Sequence, residues 1–195
     1  ARWIGGTDSK AEFALVLFAG LMMYNLFAEC INRAPGLVLS NVNYVKKVVF
    51  PLEILPVVAI GSATFHLIIS LFVWLGFYVI FIGIPPSTLW LLPILLLPFF
   101  LMILGLTWLL ASLGVYLRDV AQIIGILTTA LLFLSPIFYP ISALPEEYHS
   151  FIQASPLTFI VEQAREIMIW GKGLNWSAWI VYSLCSLFTA WLGFA

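Results

Sequence analysis

Apolar residues in this chain do not alternate with polar ones. They run on in stretches long enough to cross a lipid bilayer, whose hydrocarbon core of about 30 Å takes ~20 helical residues. Five such stretches stand out, at 13–31, 55–84, 89–117, 120–141 and 176–195. The first is interrupted by Asn25 and Glu29, and the second only by small polar groups and His66. The second and third exceed the minimum length, so tilt or kinks are expected, with Pro93 and Pro98 as kink points in the third. Continuous rather than alternating apolarity makes these helices and not barrel strands.

Three segments break the pattern. Residues 40–56 open with Ser40 and Asn41, either of which can cap a helix, and Pro51 stops that helix. Val42, Val45 and Val49 share one face while Asn43, Lys46 and Lys47 lie elsewhere, which predicts a short amphipathic surface helix. Such a helix either lies on lipid or docks on a cytoplasmic partner. At 116–122, Asp119 followed three residues on by Gln122 fits a capping box opening the fourth stretch, with Arg118 beside it at headgroup level.

The third segment, 135–175, is the longest outside the predicted spans. Pro136 and Pro140 break the end of the fourth stretch, and Pro145 admits a short helix to about residue 154. Ser155 as N-cap with Pro156 at the first helical position predicts a helix over 156–170, ended by Gly171, Lys172 and Gly173. Glu162 and Arg165 can pair on it at i, i+3. Two amphipathic helices, each too short or too polar to cross, predict a hairpin dipping into the outer leaflet. Lying flat on the membrane is the alternative.

Composition agrees with this pattern. The 195 residues are 63% hydrophobic and only 9% charged, against roughly 25% charged in soluble domains, and mean hydropathy is +1.11. A water-soluble enzyme and a disordered chain are excluded. Net charge is −1, which leaves no basic footprint for nucleic acid. Cys30 and Cys185 lie in apolar runs and read as small hydrophobes rather than a disulfide framework.

Charge also bears on orientation. Arg33, Lys46, Lys47 and Arg118 fall on one side and Arg2, Lys10, Arg165 and Lys172 on the other, four each. The compact cluster of three near span ends places the first set in the cytoplasm. Five spans then put the chain's start outside and its finish inside. A chain that opens on Ala1 and stops within an apolar run reads as a fragment, with at least one further span expected ahead of it.

Chemistry-bearing patterns are absent. His66 and His149 are the only histidines, and no His/Cys/Asp/Glu cluster has metal spacing, so neither a catalytic nor a metal site is expected. His66, beside Thr64 and Ser70, is expected to hydrogen-bond a neighbouring helix. Gly171-Lys172 lacks the remainder of a P-loop, so the chain does not bind ATP in that way. No inverted repeat of broken helices suggests a secondary transporter.

Four motifs in order carry a resemblance. They are Asn43-Tyr44-Val45-Lys46-Lys47 running through Phe50-Pro51-Leu52-Glu53-Ile54-Leu55-Pro56, then Val115-Tyr116-Leu117-Arg118-Asp119, then Ser135-Pro136-Ile137-Phe138-Tyr139-Pro140, then Pro156-Leu157 with Arg165. Together they resemble the transmembrane subunit of type-2 ABC exporters, most closely the O-antigen, capsule and teichoic-acid polysaccharide exporters. Ser155 stands where relatives more often have Asn.

The resemblance implies an all-α polytopic bundle in the bacterial inner membrane, a single transmembrane domain over 1–195 with five of six spans present. It implies that the family's N-terminal amphipathic helix and first span are missing here. It also implies a homodimer with a pore, two copies of a separate ABC ATPase that holds the ATP and Mg, and an undecaprenyl-linked glycan as substrate. Asn43, Tyr44, Lys46 and Lys47 would sit on the coupling helix. Tyr148, Glu162, Arg165 and Glu166 would belong to the external gate. Phe133, Phe138 and Tyr139 would offer sugar a sliding aromatic surface, unless they are an ordinary interfacial belt. Trp74, Trp90, Trp108, Trp176 and Trp179 read as belt or packing residues. The same architecture also serves a drug or lipid exporter.

Overall fold

The computed structural model describes residues 10–41, 52–117, 119–139 and 155–194. Every regular element among them is helical. In chain order they are α1 (Lys10–Arg33), a 3-10 turn (Ala34–Gly36), α2 (Leu37–Ser40), α3 (Ile54–Phe81), a second 3-10 turn (Ser87–Leu91), α4 (Leu92–Tyr116), α5 (Val120–Leu134), α6 (Pro156–Met168) and α7 (Trp176–Phe194).

Four stretches are long and apolar enough to cross a membrane: Lys10–Ser40, Ile54–Phe81, Ser87–Tyr116 and Trp176–Phe194. The fifth predicted stretch yields only the 15 residues of α5, ended where Ser135 turns extended ahead of Pro136. A helix of that length rises about 22 Å, short of the hydrocarbon core.

Burial ranks the helices. Within an 18-residue apolar window of each span, 67% of residues are buried in Lys10–Ser40, against 17% in α3 and 11% in α7, so α1 is the centre of the bundle. It packs on α3, α6, α4 and α5. On α3, Phe65, Phe72 and Ile80 are 62%, 70% and 74% exposed, an apolar skin suited to lipid tails. Because those tails are as apolar as leucine, helix association rests on close packing and buried hydrogen bonds rather than on expulsion of water. The α4–α7 contact shows this. A Cβ on Gly105 would collide with the Thr189 backbone, and one on Gly193 with the Gly105 carbonyl. The two helices therefore approach backbone to backbone.

Buried and half-buried polar side chains tie helices together in pairs. The Trp74 indole N–H donates to the Leu15 carbonyl at 3.1 Å, joining α3 to α1. Tyr24 donates to the Thr128 carbonyl at 2.8 Å, joining α1 to α5. Trp179 donates to the Ile94 carbonyl at 3.1 Å, joining α7 to α4. Trp74 is thus a packing residue, whereas Trp90 at 86% exposed faces outward.

Several expectations are corrected. Pro93 lies in the first turn of α4, where its missing N–H costs nothing, so only Pro98 sits inside the helix. Asp119 makes no side-chain cap: it holds helical dihedrals (−73°, −14°), and the Gln122 N–H it would have bonded is taken by its own backbone carbonyl at 3.1 Å. Ser155 has the extended N-cap conformation with Pro156 next, but its hydroxyl makes no cap either, since its carbonyl takes the Thr158 N–H at 3.1 Å. Ser40 and Asn41 bond backwards, their side chains reaching the Gly36 and Leu37 carbonyls at 2.8 Å, so they close α2.

Candidate functional site

Arg165 is the most constrained charged side chain described. It projects from α6, the most amphipathic of the described long helices, and is 2% exposed. Its Nε donates to the Val16 carbonyl of α1 at 3.1 Å, Nη1 to the Pro136 carbonyl at 2.6 Å and Nη2 to the Ile137 carbonyl at 2.7 Å. The planar guanidinium suits this, because it aims several donors in fixed directions. Gly20 makes the room: a Cβ there would lie 2.5 Å from Arg165 Nη2. Burial pulls the Arg165 pKa down to about 10, with Glu162 pulling the other way. The group therefore stays charged at neutral pH. Burial, seconded by Glu166 and opposed by Arg165, pushes the Glu162 carboxyl up.

The predicted gate residues thus divide. Arg165 clasps α1 and the Ser135-Pro136-Ile137 turn to α6, two of the sequence motifs brought into direct contact. Glu166 turns to the surface, where Lys172 reaches it at 2.7 Å and the Gln163 amide at 2.7 Å. Gln163 in turn accepts the Asn175 N–H at 2.9 Å, fixing the entry to α7. Gly171, at φ +62°, lets the chain reverse so that the Lys172 N–H meets the Glu166 carbonyl. Tyr148 lies outside the described residues, as does the helix predicted before residue 154.

Phe133, Phe138 and Tyr139 do come together. The Phe133 and Phe138 rings stack with centroids 6.0 Å apart, and they are 64% and 41% exposed. The Tyr139 hydroxyl folds back to within 3.0 Å of both the Phe133 and Leu134 carbonyls, which the end of α5 at Ser135 leaves without helical donors. Burial raises the Tyr139 pKa, so it stays a donor. Asn43, Tyr44, Lys46, Lys47 and Arg118 lie outside the described residues, and Asp119 is exposed.

One arrangement was only half legible. Asn25, Glu29, Asn32 and Arg33 follow the i, i+4, i+7, i+8 spacing and so form one stripe of α1, facing Ser62, His66 and Ser70 on α3. His66 Nδ1 meets Glu29 at 2.9 Å, as expected of a histidine bonding a neighbouring helix, and Arg33 meets the same carboxylate at 3.1 Å. The Thr128 hydroxyl of α5 lies 2.9 Å from Asn32 Oδ1. Between the stripes is a groove of about 350 Å³ lined by Asn25, Glu29, Asn32, His66 and Ser70 among others. The sequence signal was the helical spacing of polar breaks within apolar runs.

The family model described as ABC-2 type transporter matches residues 3–169. An O-antigen export system permease protein RfbA from Klebsiella pneumoniae is 24% identical over 162 residues, covering 82% of this chain and 62% of the relative. One from Myxococcus xanthus is 26% identical over 136 residues, covering 70% and 52%. The polysialic acid transport protein KpsM of Escherichia coli is 24% identical over 194 residues, covering 93% and 72%. The chain spans about 62% of the length of the Klebsiella relative. With most of its residues matched by one family model, with apolar helices of spanning length and with no strand among the described residues, the chain is an integral membrane protein that belongs to the ABC-2 type transporter family.

Proposed function

We propose that the protein is the membrane-spanning subunit of an ATP-driven exporter that moves a lipid-linked polysaccharide out of the cytoplasm across a bacterial inner membrane. The observation that carries this reading is the alignment of the chain with polysaccharide export permeases over most of its length, joined to a bundle whose breaks in apolarity are polar and aromatic. A passage for sugar needs hydroxyl partners and flat apolar faces. The stacked Phe133 and Phe138 and the stripes on α1 and α3 are of those kinds.

The chain carries no nucleotide motif, so the work comes from a separate ABC ATPase, two copies to a homodimer of this subunit. The basic segment with Asn43, Tyr44, Lys46 and Lys47 is its contact. The glycan's carrier is undecaprenyl, and ATP and Mg are held by the ATPase. A drug or lipid exporter has the same architecture, and no observation on these residues favours it.

Deletion of the gene tests the substrate. Loss of long-chain surface glycan, restored by the full-length gene, is expected. Normal surface glycan in the deletion strain would reject a polysaccharide in favour of a smaller cargo.

A further inference from the structure

A push on a segment that joins two helices does work only where the ends of the segment rest on something stiff. The stretch 42–51 lies outside the described residues, but the residues on either side of it, 34–41 and 52–54, are described. They belong to different helices, the first following α1 and the second opening α3. Both are nevertheless held by a third helix, α4.

The first end is seated backbone on backbone. The 3-10 turn Ala34–Gly36 and α2 both pack on α4. Pro35 and Gly114 are buried, and a Cβ on Gly114 would collide with the Pro35 carbonyl and lie 2.6 Å from its Cα. No side chain stands between the two backbones to change rotamer and take up movement. The second end is held by a directed bond. The Trp108 indole N–H donates to the carbonyl of Glu53, the residue ahead of α3, at 3.1 Å. On its own ring Trp108 takes the edge of Phe194 from α7, with centroids 5.3 Å apart and planes at 63°.

α4 is also splinted. α7 runs against it backbone to backbone at Gly105 and Gly193, and Trp179 ties the far end of the pair through the Ile94 carbonyl. Close-packed elements of this kind have low compressibility and carry displacement. Each contact is closed within the chain, so it stands whatever packs on the outside of the bundle.

We propose that Trp108 and Gly114 are positioning residues of the coupling step: they seat both ends of the ATPase-contact segment on α4, so that displacement of that segment moves the α4–α7 pair as one body. The inference rests on the exporter reading and names the helix that takes the load.

The experiment reconstitutes the full-length protein with its ATPase in liposomes carrying a lipid-linked glycan, and reads ATP hydrolysed, glycan delivered and the thermal unfolding midpoint. W108F keeps the ring and loses the N–H. G114A sets a methyl group against the Pro35 backbone. W74F is the comparison, because it removes the same kind of bond, indole N–H to the Leu15 carbonyl at 3.1 Å, toward the opposite end of α3. W108F should leave ATP hydrolysis unchanged and lower glycan delivered per ATP about fivefold, the worth of one net hydrogen bond. G114A should lower that ratio at least as far. W74F should lower the midpoint and leave the ratio alone.

An unchanged ratio in W108F would overturn the proposal, as would an equal fall in W74F, which would make the seat a matter of stability alone. Loss of the ATPase from purified W108F complexes would also overturn it, since the seat would then shape the contact rather than carry the load. If the wild-type complex hydrolyses ATP and moves no glycan, the exporter reading itself fails and the coupling assignment goes with it. The wild-type ratio tells that failure apart from the others.

Discussion

Arg165 is a cation withdrawn from water and held by carbonyl dipoles, two of which belong to residues outside any helix. Removing it strands those carbonyls, at about 1–3 kcal/mol for each buried group left unpaired. R165M should therefore lower the thermal unfolding midpoint of the detergent-purified protein by several degrees. R165K, which keeps the charge but loses the fork, should fall between. Equal midpoints for all three would show that the clasp contributes nothing.

Glu162 gives a pH signature. Its carboxyl is pushed up in the folded chain, so between the unfolded and folded values the native state binds the extra proton. Its contribution to stability is complete below the ordinary carboxyl range and is lost as pH rises through the folded value. E162Q has no proton to release. As pH rises from the ordinary carboxyl value near 4.3 through the raised folded value, the wild-type midpoint should fall relative to that of E162Q, which a paired thermal series would read directly.

Among the elements, α4 and α7 meet through glycines because only bare backbone allows their approach. G193A and G105A each place a methyl group against a carbonyl or backbone atom of the other helix. Overpacking of that kind costs about 1–3 kcal/mol, so both variants should unfold earlier in a detergent titration, while G125A, with open space at its Cβ, should not.

The apolar runs marked α1, α3, α4 and α7 to within a few residues, because continuous apolarity is a one-dimensional signal. They overstated α5. Apolar residues continue past Leu134, but Ser135 leaves the helical region there and the turn is held by Arg165 from 28 or more residues away. Asp119 does not cap, and Ser155 takes its expected N-cap place without bonding through its hydroxyl, for a shared reason: a side chain competes with its own residue's carbonyl for the same N–H, and that contest is not written in the residue types. The inward turn of Arg165 was equally illegible. On α6 it looked like half of an i, i+3 pair with Glu162, and only the packing of α6 against α1 shows where it goes.

At the scale of the whole molecule, the bundle has a buried central helix, a clasp at one end and a polar groove between α1 and α3. On the proposed function, a force from a second polypeptide would enter at the basic segment between α2 and α3, which lies outside the described residues. K46E/K47E should leave the protein inserted at normal levels while uncoupling the partner's ATP hydrolysis from export. Normal surface glycan in that double variant would remove the segment from the contact.

Transport itself can be followed in liposomes carrying the full-length protein together with its ATPase and a lipid-linked glycan. Delivery of the glycan to the opposite leaflet, strictly dependent on ATP and on both subunits, is the outcome this account requires. Delivery without the ATPase, or ATP hydrolysis that moves no glycan while it clears a small drug or lipid, would contradict it.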